Sequence, residues 1–237
     1  MKKLHRFIGP WQLGQGTMLI DDAGLAHQLR TVLKLAPGET VIIGDGSGME
    51  AQCRLVRIDR NAVILEGLSV GENPSEPALR VTLYCAVLKA ENFELAAQKA
   101  TEVGVSRIVP VVTGRTIKLD LRSDRVRKIV REAAELSGRG IVPEVADVTE
   151  LDDVWTDASA NDVNFFFDPS GAHFSAPARG VRTAGFFIGP EGGWTAEECG
   201  RARARGIQLV RLGHRTLRAD AVPVAAISVL QFLWGDL

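Results

Sequence analysis

The sequence predicts a two-part α/β protein, in which a small β-barrel precedes a larger domain built on a parallel sheet. Three observations support this: closely spaced strand-like runs before residue 74, a polar segment with two prolines at residues 72–77, and apolar strands that alternate with helices afterwards. Such alternation is typical of a parallel sheet covered by helices on both faces. We therefore expect domains at residues 1–73 and 74–237.

The first part contains short strands separated by strong turn signals. A strand is expected at 41–43, ending at Gly44-Asp45-Gly46, and two more at 51–58 and 62–66. Strands and turns at this spacing favour a small barrel or sandwich. One helix is expected over residues 24–35, because Pro37-Gly38 would stop it.

The second part predicts strands and helices in alternation. The strands are expected at 81–88, 107–112, 163–167, 184–188 and 207–212, and the helices at 93–103, 123–136, 195–205 and 221–234. The last helix is apolar almost all round, which is typical of a helix buried in the domain or packed against a second subunit. This pattern favours a homodimer held by the final helix.

Composition excludes several classes of protein. The 237 residues carry 28 Lys and Arg against 29 Asp and Glu, with 46% hydrophobic residues, which excludes disorder, collagen and coiled coil. No apolar run reaches the roughly 18 residues of a membrane helix, and the N-terminus has no secretory signal, so we expect a cytoplasmic protein. The three cysteines and four histidines lack metal-ligand spacing, so no metal is predicted.

A glycine-rich turn at residues 189–193 ends one of the buried strands, and Thr195 is placed to cap the next helix. Glycines at the carboxyl end of such a strand let a ligand approach the backbone, and this is where open α/β sheets bind ligands. A tight structural turn explains the local pattern equally well. The turn is not a phosphate-binding loop, and Glu191 would repel a phosphate.

A second strand also ends at a glycine, Gly213, and is followed by Arg215, Arg218 and Asp220 before the final helix. Asp220 is a candidate N-cap for that helix. The segment is either a second ligand loop beside the first or a capped loop with solvated arginines. The basic side of the helix at 123–136 is more typical of a solvated face than of a nucleic-acid surface.

These features, in this order, resemble the bacterial 16S rRNA (uracil-N3)-methyltransferases of the SPOUT class. The matching residues and segments are Arg6-Phe7, Val32-Leu33-Lys34-Leu35 with Pro37-Gly38, residues 98–105 (QKATEVGV), Pro110, Thr113, Arg115 and Thr116, Ser137-Gly138-Arg139, Val142-Pro143-Glu144, residues 189–193 (GPEGG), Leu212-Gly213 with Arg215-Thr216-Leu217-Arg218, and residues 226–236. There are two departures. Lys34 stands where the family usually has Arg, and Ala219-Asp220-Ala221 stands where it usually has Thr-Glu-Thr.

The resemblance implies a deep trefoil knot in the C-terminal domain, a PUA-like N-terminal barrel, and S-adenosyl-L-methionine as cofactor. It further implies that a homodimer methylates N3 of a specific uridine in the 16S rRNA of the 30S ribosomal subunit. The cofactor-binding residues it suggests are Phe167, Ile188, Gly189, Glu191, Gly192, Gly193, Leu212, Gly213 and Leu217. The RNA-binding residues expected alongside it are Arg6, Arg30, Lys34 and, reaching from the second domain, Arg139.

Three further residues are candidates for catalysis, since the uracil N3 proton must be removed or the resulting anion stabilised. Arg115 and Arg218 are suited to stabilise negative charge, and Asp220 to accept the proton. For each of them, a salt bridge that orders the loop is an equally good interpretation.

Two other functions remain compatible with the sequence. One is a methyltransferase of the same class that acts on another RNA position or on tRNA, against which the barrel-like N-terminal region argues. The other is a non-catalytic RNA-binding factor for ribosome assembly, against which the complete glycine motif argues.

Overall fold

The computed structural model describes residues 4–117, 120–175 and 180–234. The chain forms two compact units. The first comprises Met1–Glu76 with Ala134–Val142, and the second comprises Pro77–Ala133 with Pro143–Leu237. No sequence pattern indicated that residues 134–142 join the first unit, and the functional division at residue 74 stays a prediction. The end of the segment matched at 226–236 lies outside the described residues.

The first unit is built on a five-stranded sheet with the order β1-β3-β4-β5-β2. Its strands are β1 (His5–Ile8), β2 (Gly16–Ile20), β3 (Thr40–Gly44), β4 (Met49–Ile58) and β5 (Val63–Glu72). β1 runs parallel to β3, and the other pairs are antiparallel. The edge strands β1 and β2 were not predicted, because four or five residues give little periodicity. Closure of this sheet into a barrel stays a prediction.

The helix expected at 24–35 is shorter and irregular. α1 (Ala23–His27) begins after Asp22, whose Oδ1 accepts a hydrogen bond from the N–H of Leu25 at 2.9 Å. One π-helical turn, Gln28–Val32, follows. The chain then turns through Lys34, which has a φ of +52°, and the N–H of Leu35 donates to the carbonyl of Leu29 at 2.9 Å. The helix therefore ends well before Pro37.

The predicted linker is held firmly within the first unit. The Glu76 carboxylate accepts hydrogen bonds from the Arg139 guanidinium at 2.8 Å and from the N–H groups of Gly140 and Ile141 at 2.9 Å. The Asn73 amide donates to the carbonyl of Gly138 at 3.0 Å. Since the Arg139 side chain is only 5% exposed, its ion pair with Glu76 is buried and orders this segment.

The second unit contains a seven-stranded sheet with the order β12-β10-β11-β6-β7-β8, and β9 also pairs with β7. All of its strand pairs are parallel, as predicted. The strands are β6 (Arg80–Ala86), β7 (Arg107–Val112), β8 (Glu144–Val145), β9 (Thr149–Glu150), β10 (Val163–His173), β11 (Thr183–Ile188) and β12 (Gln208–Arg211). β10 was expected to end at Phe167 but continues to His173 beyond an irregularity in its pairing with β12.

The helices of this unit include one that sequence patterning missed. They are α2 (Ala90–Glu102), α3 (Ser123–Ser137, whose last turn belongs to the first unit), α4 (Val154–Ala158), α5 (Ala196–Ala204) and α6 (Val222–Trp234). Five-residue α4 is too short to show a helical period. None of the described helices is long and apolar enough to cross a membrane.

Buried aromatic side chains fill the sheet's core beneath its carboxyl edge. Phe165, Phe166, Phe186 and Phe187 are fully buried on neighbouring strands β10 and β11. Tyr84 of β6 stacks on Phe187 with ring centroids 4.5 Å apart, and its hydroxyl donates to Asp157 at 2.6 Å. Successive apolar residues are expected on central parallel strands, because both faces of such strands are covered. This core fixes the strand ends that carry the loops described next.

Candidate cofactor-binding site

A pocket of about 900 Å³ opens at the carboxyl ends of β11 and β12 and beside the irregularity in β10, where it is lined by Phe167, Asp168 and Pro169. Since β10 lies between β11 and β12 in the sheet, the loops that follow β11 and β12 border the same pocket from its two sides. All nine residues predicted to hold a cofactor line the pocket, namely Phe167, Ile188, Gly189, Glu191, Gly192, Gly193, Leu212, Gly213 and Leu217. The structure therefore brings together two loops that are separated by about twenty residues in the sequence.

The glycine turn after β11 is held against β10. The Trp194 indole N–H donates to the carbonyl of Phe167 at 3.0 Å, and Trp194 is buried. A Cβ atom on Gly189 would lie 2.9 Å from the Trp194 ring nitrogen, so a larger residue would displace the ring. Gly193 has a φ of +71°, and its N–H donates to the carbonyl of Pro190 at 2.8 Å. Both glycines are thus required by the turn itself.

Arg115 lies beside this turn rather than among the pocket-lining residues. Its guanidinium donates to the carbonyl of Gly192 at 2.8 Å. The loop that carries Arg115 is fixed by Glu198, which is 2% exposed and accepts from the N–H of Gly114 at 2.8 Å and from the N–H of Thr195 at 2.7 Å. Glu198 escaped the sequence analysis as a site residue, although the Thr195–Glu198 spacing is that of a capping box.

Arg218 and Asp220 line the pocket as a bidentate ion pair. The Arg218 Nε and Nη2 atoms donate to the two Asp220 carboxylate oxygens at 3.0 and 2.8 Å. These hydrogen bonds raise the pKa of the Arg218 guanidinium further above its ordinary value. Asp220 is buried, whereas most of the Arg218 side chain is exposed. α6 begins at Val222, two residues after Asp220. The Asp220 carboxylate therefore binds the Arg218 guanidinium and does not act as the predicted N-cap of that helix.

Asn92, in the first turn of α2, joins the two pocket loops and was not predicted. Its Nδ2 donates to Glu191 Oε1 at 2.9 Å, and its Oδ1 accepts from Arg218 Nη2 at 3.1 Å. Glu191 Oε1 also accepts from the N–H of Lys89 at 3.1 Å. Burial alone would raise the pKa of Glu191, but the hydrogen bonds from Asn92 and Lys89 outweigh it and lower that pKa. No local sequence pattern marks such an amide.

The four predicted RNA-binding residues all belong to the first unit, and they differ in accessibility. Arg30 and Lys34 are exposed. Arg6 is largely buried and pairs with Glu50 at 3.1 Å, and Arg139 is buried against Glu76. Arg139 was expected to reach from the second domain. It belongs to the first unit, and its RNA contact stays a prediction that requires the ion pair with Glu76 to open.

The basic side of α3 carries ion pairs. Arg125 forms an ion pair with Glu94 at 2.6 Å, and Arg127 forms one with Asp147 at 2.8 Å. Lys128 lies 3.9 Å from Glu132 on the same helix. These carboxylates neutralise the basic residues, which favours the interpretation of a solvated helix face.

Comparisons with known proteins bear on both units. The family model of an RNA methyltransferase domain matches residues 74–231, and that of an RNA methyltransferase PUA domain matches residues 21–66. Ribosomal RNA small subunit methyltransferase E of Synechocystis is 32% identical over 239 residues, which cover 95% of this chain and 76% of the relative. The Bacillus subtilis protein of the same name is 27% identical, with 87% and 86% covered.

A solved structure matches the fold over almost the whole chain. The crystal structure of a ribosomal RNA small subunit methyltransferase E from Neisseria gonorrhoeae, bound to S-adenosyl methionine, has a TM-score of 0.91 and 30% sequence identity. The match covers 99% of this chain and 100% of the other.

Proposed function

The chain belongs to the family of RNA methyltransferases named ribosomal RNA small subunit methyltransferase E, and we propose that it methylates N3 of a specific uridine in 16S rRNA, with S-adenosyl-L-methionine as methyl donor. The observation that carries this proposal is the pocket at the ends of β11 and β12, beside the irregularity in β10, which is lined by both glycine-bearing loops.

The residues of the pocket fit this cofactor. Phe167, Ile188, Leu212 and Leu217 offer apolar surface for an adenine ring, and the glycine turn exposes backbone donors and acceptors. The lining carboxylate of Glu191 disfavours a phosphate-bearing cofactor. When bound, the cofactor supplies an electrophilic methyl group. The rest of the chemistry falls to positioning and charge stabilisation by the chain's own side chains.

Before uracil N3 can take up a methyl group, its proton must pass to solvent water, and the base carries negative charge until the N3–methyl bond forms. The exposed guanidinium of Arg218 is placed at the pocket to stabilise that charge, and Asp220 orients it through two hydrogen bonds. We assign Asp220 this positioning role in preference to proton acceptance, since both of its oxygens are already engaged. Arg115 supports the glycine turn through Gly192 and is a second source of positive charge.

The target base must leave any base pair, because N3 lies on its Watson–Crick edge. In our proposal the first unit binds the rRNA backbone through Arg30 and Lys34, the two accessible candidates. The exposed apolar face of α6 mediates a homodimer. The trefoil knot remains an implication of the family resemblance.

The direct test is mass spectrometry of rRNA from a strain that lacks the gene. We expect one 3-methyluridine to disappear from 16S rRNA and to return with the wild-type gene but not with the Arg218→Ala variant. Unchanged 16S rRNA, or a lost methyl group in tRNA instead, would overturn the proposal. Calorimetry with S-adenosylmethionine distinguishes the methyltransferase from the alternative, a non-catalytic assembly factor, because a factor without a cofactor site would release no heat of binding.

A further inference from the structure

Among the described residues, three carboxylates line the pocket, and their partners differ. Asp220 is neutralised by the bidentate guanidinium of Arg218. Asp168 accepts hydrogen bonds from the backbone N–H and the hydroxyl of Ser170, two residues further along β10. Glu191 is held by the Asn92 amide and the Lys89 N–H, both from another element. Two of the three carboxylates are thus bonded by neutral donors.

Glu191 is the better fixed of these two. The hydrogen bonds from Lys89 and Asn92 come from the start of α2, so its position depends on the packing of that helix as well as on its own turn. Lys89 and Arg218 carry positive charge in the same pocket and interact with Glu191 through that charge, but within the described part of the chain neither forms an ion pair with it. The Glu191 carboxylate therefore presents a fixed negative charge to the pocket.

We propose that the Glu191 carboxylate makes this pocket selective for a sulfonium cation over the corresponding neutral thioether. The inference rests on the proposed function, in which the substrate S-adenosylmethionine is a sulfonium and the product S-adenosylhomocysteine is a thioether. The two ligands share the adenosine and the amino-acid group and differ in the methyl group and its charge. A carboxylate that favours the charged form helps the substrate to bind and the product to leave.

The test is calorimetric binding of both ligands to the full-length protein and to the Glu191→Gln variant. Glutamine keeps an oxygen that accepts from Asn92 and Lys89, so the turn should be retained while the charge is removed. We expect S-adenosylmethionine affinity to fall about threefold to tenfold, the range of a partly screened ion pair. S-adenosylhomocysteine affinity should change by less than about twofold, because the thioether carries no charge for the carboxylate to attract.

Two control variants make the assignment specific. Glu197→Gln removes an exposed carboxylate from the first turn of α5, outside the pocket lining, and should leave both affinities unchanged. Asp168→Asn removes the other carboxylate bonded by neutral donors and should also leave the ratio of the two affinities unchanged. If Asp168→Asn selectively lost affinity for S-adenosylmethionine and Glu191→Gln did not, Asp168 would be the selective carboxylate and the inference would be overturned.

Further outcomes are equally decisive. An equal loss for both ligands in Glu191→Gln would mean that Glu191 serves the shared amino group or only the turn, and would refute sulfonium selectivity. No loss for either ligand would refute it as well. If the wild-type protein bound neither ligand, the proposed function would fail. If it bound both and Glu191→Gln left their ratio unchanged, the present inference alone would fail.

Discussion

Lys34 adopts a backbone conformation that disfavours lysine. Its φ of +52° lies in the left-handed region, where a residue other than glycine is strained. The side chain is exposed, so packing does not explain why a lysine stands there. A strained residue at an exposed position is a candidate for function, which supports the RNA contact that we propose for it.

Lys34→Gly should therefore raise stability and weaken RNA binding together. Removing the strain is expected to add roughly 0.5–1 kcal/mol to the free energy of unfolding, measured by urea denaturation. Loss of the charge should weaken RNA binding in a filter-binding assay. The matched control is Lys34→Ala, which should lose the same RNA affinity without the gain in stability. Wild-type RNA affinity in both variants would contradict the assignment.

Gly193 is the position in the glycine turn where a side chain should harm cofactor binding most directly. With a φ of +71°, valine would be strained there, and its methyl groups would point into space that is otherwise open. We expect Gly193→Val to remain folded by circular dichroism but to lose detectable S-adenosylmethionine binding in calorimetry. Gly200→Val, at an open position on α5, is the control and should bind normally. Normal binding by Gly193→Val would show that the turn does not contact the cofactor.

The final helix, α6, has two apolar faces that differ in exposure. Ala226, Ile227 and Leu230 are fully buried within the chain, whereas Val229, Phe232 and Leu233 are exposed. A charge at Leu230, the obvious choice from sequence, would therefore unfold the protein and not test dimerisation, because a buried unpaired charge is costly. Phe232 is the informative position.

Phe232→Glu should convert a dimer to a monomer without loss of folding. Phe232 is 73% exposed, so the charge costs the monomer little, whereas burial in an interface would make it unfavourable. Light scattering should show the mass halved while the melting curve shows a folded protein. Leu19→Glu, at a position 68% exposed in the first unit, is the control and should keep the wild-type mass. A dimer that persists in Phe232→Glu would exclude this face.

The sequence predicted the elements that have strong periodicity and missed the contacts between distant ones. The parallel sheet and the grouping of two glycine loops followed from apolar strands that end in glycine. Asn92 and Glu198 could not be found in this way, because their role depends on partners 99 and 84 residues away. Asp220 was identified, but its local sequence suggested a helix cap, whereas the folded loop brings both Arg218 nitrogens to it.

For the whole molecule, the two units are interleaved along the chain, and this affects how they can be separated. A cut near Leu79 suits the division predicted from sequence, but it would remove Glu76 and the sheet while leaving residues 134–142, which belong to the first unit. The buried Arg139 guanidinium would then lose its carboxylate partner. Such a truncation would lose stability for reasons unrelated to RNA, so the roles of the units are better tested in the full-length chain.

Substitutions in the two units should have opposite effects on rRNA binding and on cofactor binding. The double variant Arg30→Ala/Lys34→Ala should weaken rRNA binding. It should also reduce the slope of log affinity against log salt by about 1–2, because every phosphate contact that is lost lowers the number of counterions released on binding. Cofactor affinity should not change. Gly193→Val should show the reverse, with normal rRNA binding and no cofactor binding.

Arg54→Ala is the control for removing an exposed arginine of the first unit, because Glu66 already pairs with Arg54 at 2.9 Å. An unchanged salt slope in the double variant, or a loss of cofactor binding there, would show that the first unit does not have the role assigned to it.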